Sequence, residues 1–210
     1  MRSLLSVISV IGLALVCLAG NGTAAEEKAL AYDITPLIGD APAFYVYADD
    51  EGNLSEVNCT DMMTLRFLTS AQTVKFTPPK AGWKLQKVQI AGWAVFDVQN
   101  ETIPGQAITV LEVRDKDLNL LYQTSQVQVD YFDFRLPFLS EIEVPALAVN
   151  GDFYVSFYGR KSVAVAFNQT GSAGNSFIYD RVTGELVPAE VFNQDNTTSP
   201  LNWVIRAFGN

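Results

Sequence analysis

The feature that most limits the fold of this chain is a series of short β-forming runs, with no long segment of helical period. The runs are rich in Val, Ile, Phe, Tyr and Thr, and Gly, Pro, Asn and Asp separate them. This pattern is typical of strands that end in turns, and it predicts an all-β chain. The predicted strands are residues 44–48, 63–68, 73–77, 84–90, 93–98, 107–114, 120–131, 134–136, 141–144, 153–158, 163–167, 176–179, 185–187 and 203–208.

The turn residues indicate how these strands connect. Asn150, Gly151 and Asp152 stand just before the run at 153–158, and Gly184 separates two further runs. Such residues tolerate positive φ, so the strands are expected to fold back on their neighbours. Parallel crossovers through helices have no room. Many short strands at this spacing favour an antiparallel β-sandwich of the jelly-roll type over a single sheet.

Several short motifs follow one another along residues 44–208. They are residues 47–52 (YADDEG), 73–79 (TVKFTPP), 83–88 (WKLQKV), 113–117 (VRDKD), 142–145 (IEVP), 151–155 (GDFYV) and 203–207 (WVIRA). In this order they resemble the jelly-roll β-sandwich modules of secreted bacterial and archaeal surface proteins, which are mostly uncharacterised. The resemblance covers residues 44–208. It implies a fold and a location, because a shared fold alone does not define an activity.

The N-terminus has the layout of a secretory signal peptide. Arg2 precedes an apolar run at 4–19, and small residues then lead to Glu26. We therefore expect residues 1–25 to form a signal helix that is cleaved, and the protein to act outside the cytoplasm or at the cell surface. A bilayer span needs roughly 20 apolar residues, so no membrane span is expected after cleavage.

The remaining chain is predicted to form one domain. Residues 26–43 are expected to be a loosely held segment that leads into a jelly-roll domain at 44–210. Of the two cysteines, Cys17 lies in the leader, so Cys59 has no intrachain disulfide partner after cleavage. Stability must therefore come from a packed core, and Cys59 is expected to be a small buried hydrophobic residue rather than a nucleophile.

Charge and composition exclude several functional classes. The formal net charge of −9 disfavours binding to nucleic acid and to anionic lipid surfaces. The chain has no histidine, which excludes Ser-His-Asp and Cys-His nucleophilic sites and histidine-ligated zinc. An enzyme built from this chain would have to work with carboxylates, tyrosines or lysines.

The chain has more Asn-x-Ser/Thr sequons than its asparagine content predicts. They begin at Asn53, Asn58, Asn100, Asn168 and Asn196. Two interpretations stay open. The sequons could carry glycans in a host that has the transferase, or Asn, Ser and Thr could simply collect in exposed turns.

Two acidic turns are candidate calcium sites, and calcium is the single cofactor that the sequence suggests. Asp115, Asp117 and Asn119 place oxygen ligands at alternate positions, and Asp49 and Asp50 lie in a second acidic turn. Such oxygen ligands suit Ca²⁺. The favoured alternative is a hairpin turn whose acidic side chains accept hydrogen bonds from their own backbone.

One carboxylate pair is a candidate catalytic site. Glu141 and Glu143 share one face of a predicted strand, and glycoside hydrolysis uses two carboxylates. Ile142 and Val144 alternate with them as the inward residues, which favours a solvated strand face over catalysis.

The aromatic residues are candidates for ligand contact. Sugar rings stack on aromatic planes, so Trp83, Trp93 and Trp203 could form a binding face, although core packing is the favoured interpretation. Tyr154 and Tyr158 share one face of their strand because they are four residues apart. The sequence does not indicate which face that is.

Together these features favour a secreted, non-catalytic module that binds a surface polysaccharide or a protein ligand. The alternative is a structural subunit of a surface layer, sheath or filament that assembles through strand edges. A carboxylate-based hydrolase is the third hypothesis.

Overall fold

The structure is a computed structural model that describes residues 28–31, 37–38, 41–42, 46–48, 54–56, 61–65, 67–94, 107–127, 131–132, 138–169, 174–193 and 195–210. Every regular element among them is a β-strand, and the strands pair antiparallel, which confirms the predicted all-β class. The predicted leader, the predicted strand at 134–136 and Cys59 lie outside these residues.

Nineteen strands are described. They are β1 (Lys28–Leu30), β2 (Leu37–Ile38), β3 (Ala41–Pro42), β4 (Val46–Ala48), β5 (Leu54–Glu56), β6 (Asp61–Met63), β7 (Ser70–Phe76), β8 (Lys84–Ala94), β9 (Ile108–Asp115), β10 (Leu120–Val127), β11 (Phe138–Ala148), β12 (Phe153–Tyr158), β13 (Val163–Asn168), β14 (Ser176–Asp180), β15 (Glu185–Pro188), β16 (Glu190–Phe192), β17 (Thr198–Pro200), β18 (Asn202–Trp203) and β19 (Ile205–Gly209).

Two large sheets form the body of the protein. In the seven-stranded sheet, β8 pairs with β11, β13 and β19, while β13 also pairs with β6 and β18, and β19 with β1. The six-stranded sheet has the order β10-β9-β12-β7-β14-β15. Three two-stranded sheets, β2-β3, β4-β5 and β16-β17, complete the pairing.

The core contains alternate side chains from both large sheets, as expected for two sheets packed face to face. From the seven-stranded sheet, Val88 and Ile90 are fully buried, and from the six-stranded sheet Val155 and Phe157 are. Aromatic rings extend this core: the Phe153 ring centroid lies 5.5 Å from that of Phe76 and 5.8 Å from that of Trp83. Each such large side chain contributes about 2 kcal/mol through burial.

Some predicted strand boundaries are wrong. The runs at 84–90 and 93–98 were expected to be separate, but Lys84–Ala94 is one strand. Gly92 lies within this strand and pairs with Phe138 and Val165, and a Cβ there would come within 2.5 Å of a ring carbon of Phe132. The predicted strand at 203–208 is interrupted at Val204.

Other differences arise where apolar content is a poor guide to pairing. The apolar residues of 63–68 do not form one strand, since β6 ends at Met63 and a turn at 67–70 follows, closed by a hydrogen bond from Ser70 N to Phe67 O. Conversely, Lys28–Leu30 lies in the segment expected to be loosely held, yet it pairs with Ile205–Gly209. Local sequence does not reveal this pairing, because the partner strand is at the other end of the chain.

Candidate functional site

A buried carboxylate lies on the outer face of the six-stranded sheet. Along β9, Leu111 and Val113 point into the core, so Glu112 and Arg114 occupy the opposite face. Glu112 is only 1% exposed. A buried carboxylate is costly unless it is paired and hydrogen-bonded, so its neighbours define a site.

Arg114 is the main partner of this carboxylate. Its Nε and Nη2 donate to Glu112 Oε2 at 3.0 and 2.8 Å, a fork that fixes the guanidinium plane. Its Nη1 donates to Leu118 O at 2.7 Å, and its guanidinium lies 4.8 Å from the Tyr179 ring centroid. Leu118 has a φ of 64°, so Arg114 also stabilises an unfavourable backbone conformation in the β9–β10 turn.

Tyr158 and Arg181 complete the cluster. Tyr158 Oη donates to Glu112 Oε2 at 2.9 Å, and burial together with the Glu112 charge raises the pKa of the phenol. Arg181 lies over the Tyr158 ring at 5.2 Å and has Nη2 4.0 Å from Glu112 Oε1. Arg181 is 34% exposed, so it connects the buried carboxylate to the surface.

The geometry around Glu112 suits the positioning of neighbouring side chains better than the transfer of a proton. Two guanidinium groups and one phenol face the same carboxylate, and the raised pKa keeps Tyr158 a hydrogen-bond donor. The arrangement holds Arg181 at the start of the turn that carries the exposed side chain of Val182. We call Glu112, Arg114, Tyr158, Tyr179 and Arg181 the carboxylate cluster.

Next to this cluster, two turns expose apolar side chains. Phe67 is 63% exposed, Leu68 55% and Val182 74%. The turns are hydrogen-bonded to each other, since Arg181 N donates to Thr69 O at 3.1 Å and Thr69 Oγ1 to Asp180 Oδ2 at 3.2 Å. We call Phe67, Leu68, Val182 and Arg181 the end surface.

The turn that carries Val182 has a fixed conformation. Asp180 Oδ1 accepts hydrogen bonds from Val182 N at 2.8 Å and Thr183 N at 3.3 Å, and Gly184 supplies the required φ of 73°. These backbone donors, Val182 first, hold the pKa of Asp180 below its ordinary value. A turn fixed in this way loses little conformational entropy when it binds a partner.

The structure places two of the three candidate tryptophans in the core, as the favoured interpretation predicts. Trp83 and Trp203 are fully buried in the core and cannot stack on an external ligand. Trp203 instead joins the two sheets, because its N donates to Ser176 Oγ and its Nε1 to Phe177 O, both at 3.0 Å. Trp93, at 39% exposure, is the predicted ligand-contact tryptophan that reaches the surface.

The Asp115 turn has the hydrogen bonds expected of the hairpin alternative. Asp115 Oδ1 accepts from Asp117 N and Asn119 N, both at 2.9 Å, and Asp117 pairs with Lys116 at 2.7 Å. No group of three or more His, Cys, Asp or Glu side chains that could hold a metal ion occurs in the described ranges. Asp49 and Asp50 lie outside those ranges.

Glu141 also has the contacts of a solvated strand face. It accepts a hydrogen bond from Gln89 Nε2 at 2.5 Å and lies 3.3 Å from Lys87 Nζ. The Gln89 hydrogen bond and then Lys87 hold its pKa below the ordinary value, which is the opposite of what a general acid requires. Glu143 is exposed.

Acid is expected to remove the stabilisation that Asp115 provides. The Asn119 side-chain hydrogen bond, followed by backbone bonds, lowers the Asp115 pKa below 3.8 in the folded state. Its contribution is therefore complete above pH 3.8 and is lost as pH falls through the lower folded-state value. The difference in unfolding free energy between wild type and Asp115→Ala should shrink below that pH in chemical denaturation. A difference that grows on acidification contradicts this assignment, and Asp117→Ala is the control in the same turn.

The sequons at Asn168 and Asn196 differ in their surroundings. Asn196 is exposed in the β16–β17 turn with a φ of 64°, whereas Asn168 is half-buried in β13 and accepts a hydrogen bond from Asn202 Nδ2 at 3.5 Å. In a glycosylating host we therefore expect occupancy at Asn196 and little at Asn168, measured by glycopeptide mass spectrometry. Equal occupancy would contradict this expectation. Asn53, Asn58 and Asn100 lie outside the described residues.

Comparison with known proteins assigns no family. No protein-family model matches the chain, and no curated protein is significantly similar to it. The interpretation of the site therefore depends on its geometry.

Sequence reasoning missed both the carboxylate cluster and the end surface. One signal for the cluster was present, since Glu112 is the single charged residue within an apolar stretch of β9. The end surface gave no such signal, because Phe67 and Leu68 look like strand residues until the turn at 67–70 is known.

Proposed function

We propose that the protein is an exported, non-catalytic binding module that holds a protein partner at its end surface. The observation that carries this proposal is the exposure of three apolar side chains on two turns that hydrogen-bond to each other. Single exposed apolar residues are normal, but adjacent ones at loop tips are typical of interaction sites. Export depends on the predicted leader at 1–25.

We also propose that the two large sheets form a jelly roll, and the strand order supports this. In a jelly roll of eight consecutive strands, one sheet contains the first, eighth, third and sixth strands, and the other the second, seventh, fourth and fifth. Strands β6 to β13 follow this order: β6-β13-β8-β11 in one sheet and β7-β12-β9-β10 in the other. On this basis β14 and β15 are additions beside β7.

Protein is the favoured class of ligand because of which side chains are exposed. Flat indole rings are the usual platforms for sugar, but Trp83 and Trp203 are in the core, and the exposed Trp93 is not part of the end surface. The end surface instead presents Leu68 and Val182, aliphatic side chains that gain from burial against apolar protein surface. Beside them the Arg181 guanidinium suits a carboxylate on the partner.

The same surface accounts for the role of the carboxylate cluster. Glu112 holds Arg114 directly and faces Arg181 at 4.0 Å, so the cluster orients Arg181 before a partner arrives. Orientation in advance lowers the entropic cost of binding.

No helix in the described part of the chain is long and apolar enough to cross a membrane.

The proposal can be tested by capture of surface material from the producing organism. The immobilised protein should capture a component of this material. Treatment of the material with protease should abolish the capture, and treatment with glycosidase should not. Phe67→Ser combined with Val182→Ser should abolish capture.

The control is Phe192→Ser. Phe192 is 83% exposed, and the β16–β17 hairpin that carries it lies at the Ser176 end of β14, away from Asp180. Capture that survives the double substitution, or that glycosidase alone abolishes, contradicts a protein partner at the end surface.

A further inference from the structure

Strand β10 (Leu120–Val127) is a long, uncharged edge of the six-stranded sheet. In the described part of the structure it pairs with β9 alone. It has eight residues and contains no Lys, Arg, Asp, Glu, Pro or Gly. An edge of this kind presents unpaired N–H and C=O groups and invites another strand, which is why most proteins protect their edges.

The other described edges of the two large sheets are protected. β15 is four residues long and contains Glu185 and Pro188. β11 contains two glutamates and Pro145, and its register is irregular between Glu143 and Leu147. β1 and β6 are three residues each, with Lys28 and Asp61 respectively, and β18 is two residues long. The contrast marks β10 as a different kind of edge.

We infer that β10 pairs antiparallel with β10 of a second copy of this chain across a two-fold axis. Two copies with a net charge of −9 repel each other, and this repulsion is weakest where the surfaces that meet carry no charge. The uncharged stretch extends beyond the strand, since no residue from Leu118 to Val129 is charged. The same strand therefore suits both partners, as a two-fold interface requires.

The regular part of the strand sets the register. The pairing of β10 with β9 is irregular between Leu120 and Tyr122 and regular from Tyr122 onward, so the regular stretch is centred near Thr124. With Thr124 opposite Thr124, Gln123 faces Ser125 of the second copy. Threonine pairs and amide-hydroxyl pairs are favourable across antiparallel strands. Leu121, which is exposed in one copy, becomes covered at the end of the shared strand pair.

This pairing predicts a closed dimer rather than a filament. A filament needs a second adhesive edge on each copy, and the opposite edge of the same sheet ends in Glu185 and Pro188. Pairing through β10 alone joins two six-stranded sheets into one continuous sheet and leaves no further β10 edge free. The inference does not depend on the partner proposed for the end surface.

Sedimentation velocity tests the dimer. It is measured over a wide concentration range on the protein purified from the organism that produces it. The wild type should shift to twice the monomer mass. Gln123→Lys with Ser125→Lys should remain monomeric, and so should Gln123→Glu with Ser125→Glu, because like charges then face each other across the axis. A mixture of the two variants should recover the dimer, since opposite charges then meet.

Val187→Lys with Phe192→Lys is the charge-matched control, since both residues are exposed and lie on other strands. It should dimerise like wild type. A monomeric wild type, a double-lysine β10 variant that still dimerises, or a variant mixture that stays monomeric overturns the inference. Thermal unfolding of each variant establishes that the monomer is folded.

Discussion

Replacing Glu112 with alanine is expected to lower the free energy of unfolding by about 3 kcal/mol, because it leaves Arg114 and Tyr158 without their shared acceptor. Arg114 donates twice to Glu112 Oε2, and Tyr158 Oη donates once. Since Glu112 is 1% exposed, water does not replace it without local opening. Chemical denaturation of the wild type and the variant measures the difference.

Two further variants separate the cluster from a general effect of losing a glutamate. Tyr158→Phe removes one hydrogen bond to a charged group and should cost about 2 kcal/mol. Glu143→Ala removes an exposed glutamate on β11 and should change stability by about 0.5 kcal/mol or less. If Glu112→Ala is as stable as Glu143→Ala, the carboxylate cluster does not stabilise this face of the sheet.

Replacing Trp203 with alanine is expected to cost about 4 kcal/mol. The indole is fully buried, packs edge-on against Phe167 with centroids 5.9 Å apart, and donates to Phe177 O in the opposite sheet. The substitution therefore removes core volume and an inter-sheet hydrogen bond together. Thermal and chemical unfolding both measure the loss.

Trp203→Phe and Trp93→Ala provide the comparison. Trp203→Phe retains most of the ring volume and should lose about 2 kcal/mol, chiefly because Phe177 O loses its donor. Trp93→Ala should cost less than Trp203→Ala, since Trp93 is 39% exposed. Equal losses for the alanine variants of Trp93 and Trp203 would contradict the assignment of Trp203 to the core.

The fold class could be predicted from the sequence because turn chemistry and β-forming runs are local. The strand at 153–158 was predicted with its observed bounds, and Gly151 has the positive φ that its turn position indicates. Pairing between distant segments could not be predicted in this way. Lys28–Leu30 pairs with Ile205–Gly209, which lies at the other end of the chain. Neither segment contains a local sequence feature that predicts this pairing.

The candidate site was missed for a related reason. Glu112 lies in β9 and Arg181 in the turn after β14, and their spacing in sequence carries no information about the contact between them. The tryptophans were candidates for ligand contact because of their residue type. Residue type does not separate the two roles, since large aromatic side chains occur both in cores and on binding faces. Burial decides between the two, and the structure places Trp83 and Trp203 in the core.

Photocrosslinking in the producing organism tests the central claim most directly. A photoreactive phenylalanine analogue is incorporated at Phe67, at Val182 and, as the control, at Phe192, all of which are exposed. We predict that positions 67 and 182 give the same adduct, in which the added mass is that of one protein partner, and that position 192 gives none. Absence of an adduct at both 67 and 182, or an equal adduct at 192, would contradict a partner held at the end surface.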